Sequence, residues 1–150
     1  MKNAPVTVTK YEDIKVGDSA EVVHTITEED IITFGKMSGD YNPLHFNEDW
    51  AKGTLFKGRI AHGILTAAFI STVIGMKLPG AGTIYLEQSM RFKRPVRIGN
   101  VITAKVTVES KDDEKRHISL RTTCTNQHNK IVLEGDALVT IMDMSDRQPN

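Results

Sequence analysis

The chain predicts an α+β fold: an antiparallel sheet wrapped around one long buried helix, at about residues 63–77. Two observations carry this. From Ile84 onward, successive segments alternate apolar and polar residues at period two, with turn-forming residues between most of them. That is the pattern of strands with one face covered. Upstream, Gly63 to Lys77 places Ile64, Leu65, Ala67, Ala68, Phe69, Ile70, Val73, Ile74 and Met76 right around the helix barrel. A helix without a polar face belongs in a protein interior. A length of 150 residues suits one domain, residues 1–150.

In chain order, Met1 to Lys10 is polar and unpatterned and Asp143 to Asn150 is a charged tail. Both are expected to fray, leaving an ordered core at about 11–142. Ser19 to Ile26 alternates Ala20, Val22, His24 and Ile26, as a strand does. Thr27 followed by Glu28-Glu29-Asp30 marks a helix start, a hydroxyl cap with carboxylates in the positive first turn. That helix carries Ile31, Ile32, Phe34 and Met37 and stops at Gly39. Asn47 caps a second short helix over Glu48 to Lys52. The long helix follows, about 22 Å at ~1.5 Å per residue, ended by Pro79-Gly80-Ala81-Gly82. Strands are expected over Ile84–Phe92, Ile102–Glu109, Ile118–Thr125 and Ile131–Ile141, with turns at Gly99-Asn100, Asp112-Asp113 and His128-Asn129.

Composition narrows the function. Nineteen basic and nineteen acidic residues cancel, leaving no global field for nucleic acid or an anionic membrane. No apolar run reaches the ~20 residues that span a bilayer, and the N-terminus lacks a signal-peptide core. The one cysteine, Cys124, lies on the apolar face of its strand, so it forms no internal disulfide and reads as an inert buried thiol. His24, His117 and His128 lack metal-ligand spacing. The expectation is a soluble cytoplasmic protein with no bound metal and no nucleic-acid or membrane partner.

The segment Ser38-Gly39-Asp40-Tyr41-Asn42-Pro43-Leu44-His45 holds the chemistry. On a continuous helix Asp40 and His45 would diverge by about 140°. Pro43 disfavours helical geometry at Asn42, so the two side chains flank a tight polar turn and can converge. A carboxylate and an imidazole aimed at one water suffice for acid–base chemistry near neutral pH. An Asx turn with His45 packed beside Phe46 fits the same residues. Gly63 opens the long helix, where unpaired N–H groups carry the positive end of the dipole. Without a side chain it can admit a carbonyl oxygen, or it can serve close packing. Arg91, Lys93, Arg94 and Arg97 flank Pro95 and can engage phosphates or form a solvated sheet edge. Lys57 and Arg59 suit phosphate equally.

A resemblance adds to this. Phe34 through His45, with Ala51 beyond, resembles the hydratase motif of the MaoC-like family of (R)-specific enoyl-CoA hydratases and 3-hydroxyacyl thioester dehydratases. The similarity continues through Arg59 to Leu65, Leu78-Pro79-Gly80 and Tyr85 to Phe92. It implies the hot-dog fold and a homodimer whose two sheets pair edge to edge. Catalysis by Asp40 and His45 is implied, with Gly63 N–H at the developing oxyanion. Ser71 and Asn42 join Arg91, Lys93 and Arg94 as substrate-binding candidates. The implied reaction is syn addition of water to a (2E)-enoyl-CoA giving the (3R) alcohol, with coenzyme A as substrate carrier and no other cofactor. Dehydration on an acyl-carrier protein is the alternative enzyme reading. A non-catalytic acyl-thioester binding module is the alternative of another class. Acyl length would depend on the tunnel, which Leu65, Phe69 or Met90 could close.

Overall fold

The computed structural model describes residues 5–142. A 3-10 turn at Tyr11–Asp13 leads into β1 (Ser19–Thr25) and α1 (Glu28–Ser38). Two short helices, α2 (Pro43–Phe46) and α3 (Glu48–Lys52), precede the long α4 (Gly63–Met76). The strands β2 (Thr83–Gln88), β3 (Arg91–Phe92), β4 (Val101–Asp112), β5 (His117–Thr125) and β6 (Ile131–Ile141) complete the chain. All pairing is antiparallel, in the order β1-β4-β5-β6-β2, with β3 paired farther along β6.

The period-two segments supply the core. Ile102, Ala104, Val106 and Val108 of β4, with Ile118, Leu120 and Cys124 of β5, pack against Ile70, Val73 and Ile74 of α4. Each fully buried Ile, Leu or Val contributes roughly 1.5–3 kcal/mol, so this interlock fixes α4 across the sheet. The cap expected at Thr27 is a capping box: its hydroxyl accepts from the Asp30 amide, and Asp30 accepts from the Thr27 amide. α1 ends at Gly39 with φ 78°, a left-handed conformation that glycine adopts without strain. Asn47 caps α3 as expected, its Oδ1 accepting from the Trp50 amide.

Four expectations need correction. α4 is not buried all round: Ile64, Ala68, Ser71, Thr72 and Gly75 form an exposed stripe. Except for Ile64 these side chains are small, so the stripe shows little apolar surface although few of its residues are polar. The strand expected over Ile84–Phe92 breaks at Ser89-Met90. There Gly135 of β6 lies so close that a Cβ on it would sit 1.8 Å from the Ser89 carbonyl oxygen. Ser89 then caps the break, its hydroxyl accepting from the Asp136 amide at 3.0 Å. Nor does β2 have one covered face, because Ile84, Tyr85 and Leu86 of this edge strand are all exposed. Finally, residues before Tyr11 are not wholly frayed: the Thr7 amide bonds the Met76 carbonyl, and Val8 bridges Gly80. Residues 1–4 and the tail 143–150 lie outside the described residues.

Candidate active site

The polar segment between α1 and α4 folds over the N-terminus of α4. Asn42, with Pro43 at the first helical position, caps α2 by accepting from the Leu44 amide at 3.0 Å. This single turn of helix, read from the sequence only as a tight turn, carries His45 inward. His45 is buried, whereas the Asp40 side chain is half exposed. Asp40 Oδ1 accepts from the Asn42 amide at 3.2 Å, so the carboxylate is held by its own turn.

His45 is oriented from both ends. Its Nδ1 donates to the Ile60 carbonyl at 2.8 Å, which leaves Nε2 as the nitrogen that exchanges a proton. Its own carbonyl accepts from Arg59 Nε at 2.6 Å, and the same guanidinium grips Glu28 of α1 through both terminal nitrogens. Arg59 therefore clamps α1 to α2 and does not reach out as a free phosphate ligand. Arg97 is likewise committed, donating to the carbonyls of Arg59 and Phe56.

A third polar residue, His62, joins the pair. Its side chain is not among the sequence candidates, and the one local signal for it is a histidine directly before the first residue of an apolar helix. Its ring lies tilted against that of His45, with centroids 3.8 Å apart, and is flanked by Phe34 and Phe46. Gly35 makes this possible, since a Cβ there would collide with the Phe46 ring at 2.5 Å. His62 Nε2 donates to the Asp40 carbonyl at 3.1 Å. Burial pushes the His62 pKa below its ordinary value, with the bond to Asp40 opposing and neighbouring His45 reinforcing the shift. One ligand-type atom from each of Asp40, His45 and His62 lies within 4.8 Å of the others. One water can bond two such atoms at ~2.8 Å each.

Beside them opens a cavity of about 380 Å³, walled by His45, Gly63, Thr66, Phe92, Val96 and Leu133 among others. Gly63 is the first residue of α4, and no side chain caps this helix start. Its N–H belongs to the first helical turn, which has no acceptor within the helix, and the residue lies at the cavity wall. The Phe92 ring covers it closely enough that a Cβ on Gly63 would meet ring carbons at 2.7–3.2 Å. Lys93 and Arg94 line the cavity as well. Lys93 pairs with Glu134 at 3.1 Å, and Arg94 bonds the Ile131 carbonyl. Arg91 is exposed on β3. Ser71 lies on the exposed stripe of α4, outside the cavity. Leu65, Phe69 and Met90 do not line it either; Thr66, Val132 and Leu133 stand in their place. Cys124 is fully buried, and burial pushes its thiol up to about 12.

Comparison with known proteins agrees with this geometry. The family model for the MaoC like domain matches residues 13–130. An (R)-specific enoyl-CoA hydratase of Rhodospirillum rubrum is 53% identical over 131 residues, covering 87% of this chain and 90% of that protein. A 3-hydroxybutyryl-CoA dehydratase of Methylorubrum extorquens is 39% identical over 142 residues, covering 95% and 90%. The unliganded R-hydratase structure from Pseudomonas aeruginosa superposes with a TM-score of 0.85 at 37% identity, covering 97% of each chain. The chain belongs to the MaoC-like family and has its hot-dog fold.

Proposed function

We propose that this MaoC-like chain is a hydro-lyase that adds water reversibly to (2E)-enoyl-CoA, giving the (3R)-3-hydroxyacyl-CoA. The observation that carries the reading is the convergence of Asp40 on His45, which itself walls a cavity lined also by Gly63. Relatives named for this hydration and for the reverse dehydration support it.

Each group has one task. Asp40 and His45 hold a water between them, and the Asp40 carboxylate accepts its proton as the oxygen bonds to C3 of the enoyl group. The electron pair of the double bond shifts toward the thioester oxygen, where the Gly63 N–H donates to the growing charge. His45 enters this step with protons on both ring nitrogens and delivers the Nε2 proton to C2 on the same face. The proton taken up by Asp40 then returns to Nε2 through the next water, which restores the pair. The Ile60 carbonyl on Nδ1 keeps Nε2 aimed at this task. These steps are proton transfers, so the reading includes no metal or redox cofactor, and coenzyme A enters as part of the substrate. Lys93 and Arg94 line the cavity that receives the thioester, where their charge suits carrier phosphates.

Assembly is part of the same reading. Among the described residues β2 ends the sheet as an edge strand, with Ile84, Tyr85 and Leu86 exposed, and Ile64 of α4 is exposed as well. Such an edge calls for cover, and a second copy of the chain pairing there supplies it. Among the described residues no helix is long and apolar enough to cross a membrane.

Crotonyl-CoA tests the reading. Its conjugated absorbance should fall on adding the protein, and the product should be oxidised by an (R)-specific but not an (S)-specific 3-hydroxyacyl-CoA dehydrogenase. Binding without loss of absorbance would point instead to a non-catalytic acyl-thioester module. Turnover confined to an acyl-carrier-protein thioester would move the activity to the other carrier.

A further inference from the structure

Thr66 carries a polar atom that the mechanism above leaves unused. Among the described residues, two buried side-chain atoms have no hydrogen-bond partner, and one is Thr66 Oγ1; the other, His62 Nδ1, belongs to a ring that does not wall the cavity. Thr66 is 2% exposed and lines the cavity with His45 and Gly63. A threonine inside a helix usually returns its hydroxyl to the carbonyl one turn back, as Thr72 does to Ala68. Thr66 does not, and only its amide reaches the His62 carbonyl, at 3.4 Å. A hydroxyl buried without a partner is destabilising, so its presence at a cavity wall points to a partner that arrives with the ligand.

Helix geometry identifies that partner. Residues three apart share a face, and helical side chains lean toward the N-terminus. The Thr66 hydroxyl therefore leans toward the turn begun by Gly63. We propose that Thr66 is a catalytic residue whose Oγ1–H donates a second hydrogen bond to the thioester oxygen bound by the Gly63 N–H. This rests on the hydratase reading and deepens it. As water oxygen bonds to C3, the C2–C3 electron pair moves toward the thioester oxygen, and two fixed donors meet that charge where one would otherwise act alone. When C2 takes its proton the charge leaves the oxygen, and Thr66 keeps its own proton throughout. The Thr66 main chain is anchored separately, its carbonyl facing Cys124 Sγ at 3.8 Å, so changing the side chain leaves that contact in place.

Thr66→Val keeps the shape and removes the donor, while Thr66→Ser keeps the donor. With crotonyl-CoA, Thr66→Val should lower kcat about 100-fold, the scale of one lost oxyanion donor, with KM little changed, and Thr66→Ser should regain most of the loss. A second readout needs no turnover. In an Asp40→Asn background, bound para-dimethylaminocinnamoyl-CoA should show a red-shifted absorbance band from its polarised carbonyl. Adding Thr66→Val should shrink the shift, and Thr66→Ser should keep it. Should the valine variant unfold, Thr66→Ala gives the same band measurement. A wild-type kcat and an unshrunken band in Thr66→Val would overturn the proposal. So would a fall in kcat accompanied by a lower melting temperature and an unchanged band, which marks a packing role. If the wild-type protein fails to hydrate crotonyl-CoA, the hydratase reading fails, and the band still reports whether Thr66 donates to a thioester carbonyl.

Discussion

Replacing Arg59 with methionine should damage stability and turnover together while sparing recognition of the coenzyme A phosphates. The side chain is only 18% exposed, and its Nε donates to the His45 carbonyl at 2.6 Å. A hydrogen bond from a charged donor contributes roughly 1.5–3 kcal/mol. The pair with Glu28 involves a half-exposed carboxylate and adds at most about 1 kcal/mol. Together the loss is about 2–4 kcal/mol, and for a chain of this size each kcal/mol moves Tm by roughly 2–4 °C. Arg59→Met should therefore melt roughly 4–16 °C lower, whereas Glu28→Gln, which leaves the bond to His45, should lose about 1 kcal/mol or less. Because Arg59 holds the main chain of His45, kcat should fall as well. Thermal melts with steady-state kinetics on crotonyl-CoA and crotonyl-pantetheine decide the matter. Crotonyl-pantetheine lacks the whole phosphorylated nucleotide of coenzyme A, phosphates included, and the clamp touches none of it, so KM should change in parallel for both. A near-normal Tm with KM raised for crotonyl-CoA alone would refute the clamp and make Arg59 a phosphate ligand.

Three further outcomes follow from the same structure. Gly63→Ala should fold, because the methyl meets the ring of half-exposed Phe92, which can swing aside; kcat on crotonyl-CoA should drop more than binding weakens. An unchanged kcat would leave Gly63 as a packing glycine. His62 has a depressed folded pKa, so on acidification the unfolded chain takes up its proton first. Stability should then fall as pH drops below about 6.5 toward that depressed value, and His62→Gln should flatten this part of a Tm-against-pH curve. Asp30 and Glu134, also held below their ordinary values, act only at lower pH. Burial opposes the Asp30 shift, but bonds from His24 and Thr27 outweigh it; for Glu134 the bond from Lys93 leads. An equally steep decline in the variant would remove His62 from the account. Cys124, buried with its thiol pushed up to about 12, should resist a thiol reagent until the chain unfolds; rapid labelling of the native protein would contradict that burial.

The sequence disclosed what local chemistry governs. Thr27, Gly39 and Asn47 act as caps because capping needs only one side chain or one φ angle. β4, β5 and β6 fell where alternation placed them, because each has one face against α4 or its surroundings. What stayed hidden depends on residues far apart in the chain. The break at Ser89 arises from Gly135 on another strand, and the role of Arg59 arises from Glu28 and the His45 main chain. The convergence of Asp40 and His45 was legible because Pro43 forces their turn. His62 and Thr66 were not, since a histidine before a helix and a threonine inside one are ordinary until the cavity and the unpaired hydroxyl are seen.

The central claim is that Asp40 and His45 act as one unit on one water. Initial rates of crotonyl-CoA hydration for Asp40→Asn, His45→Gln and the double variant, each checked for an unchanged fold, test it most directly. Each single change should lower kcat by about 10²–10⁴, and the double variant should lose far less than the product of the two. Near-normal turnover in either single variant, or losses that multiply in full, would contradict the shared-water mechanism.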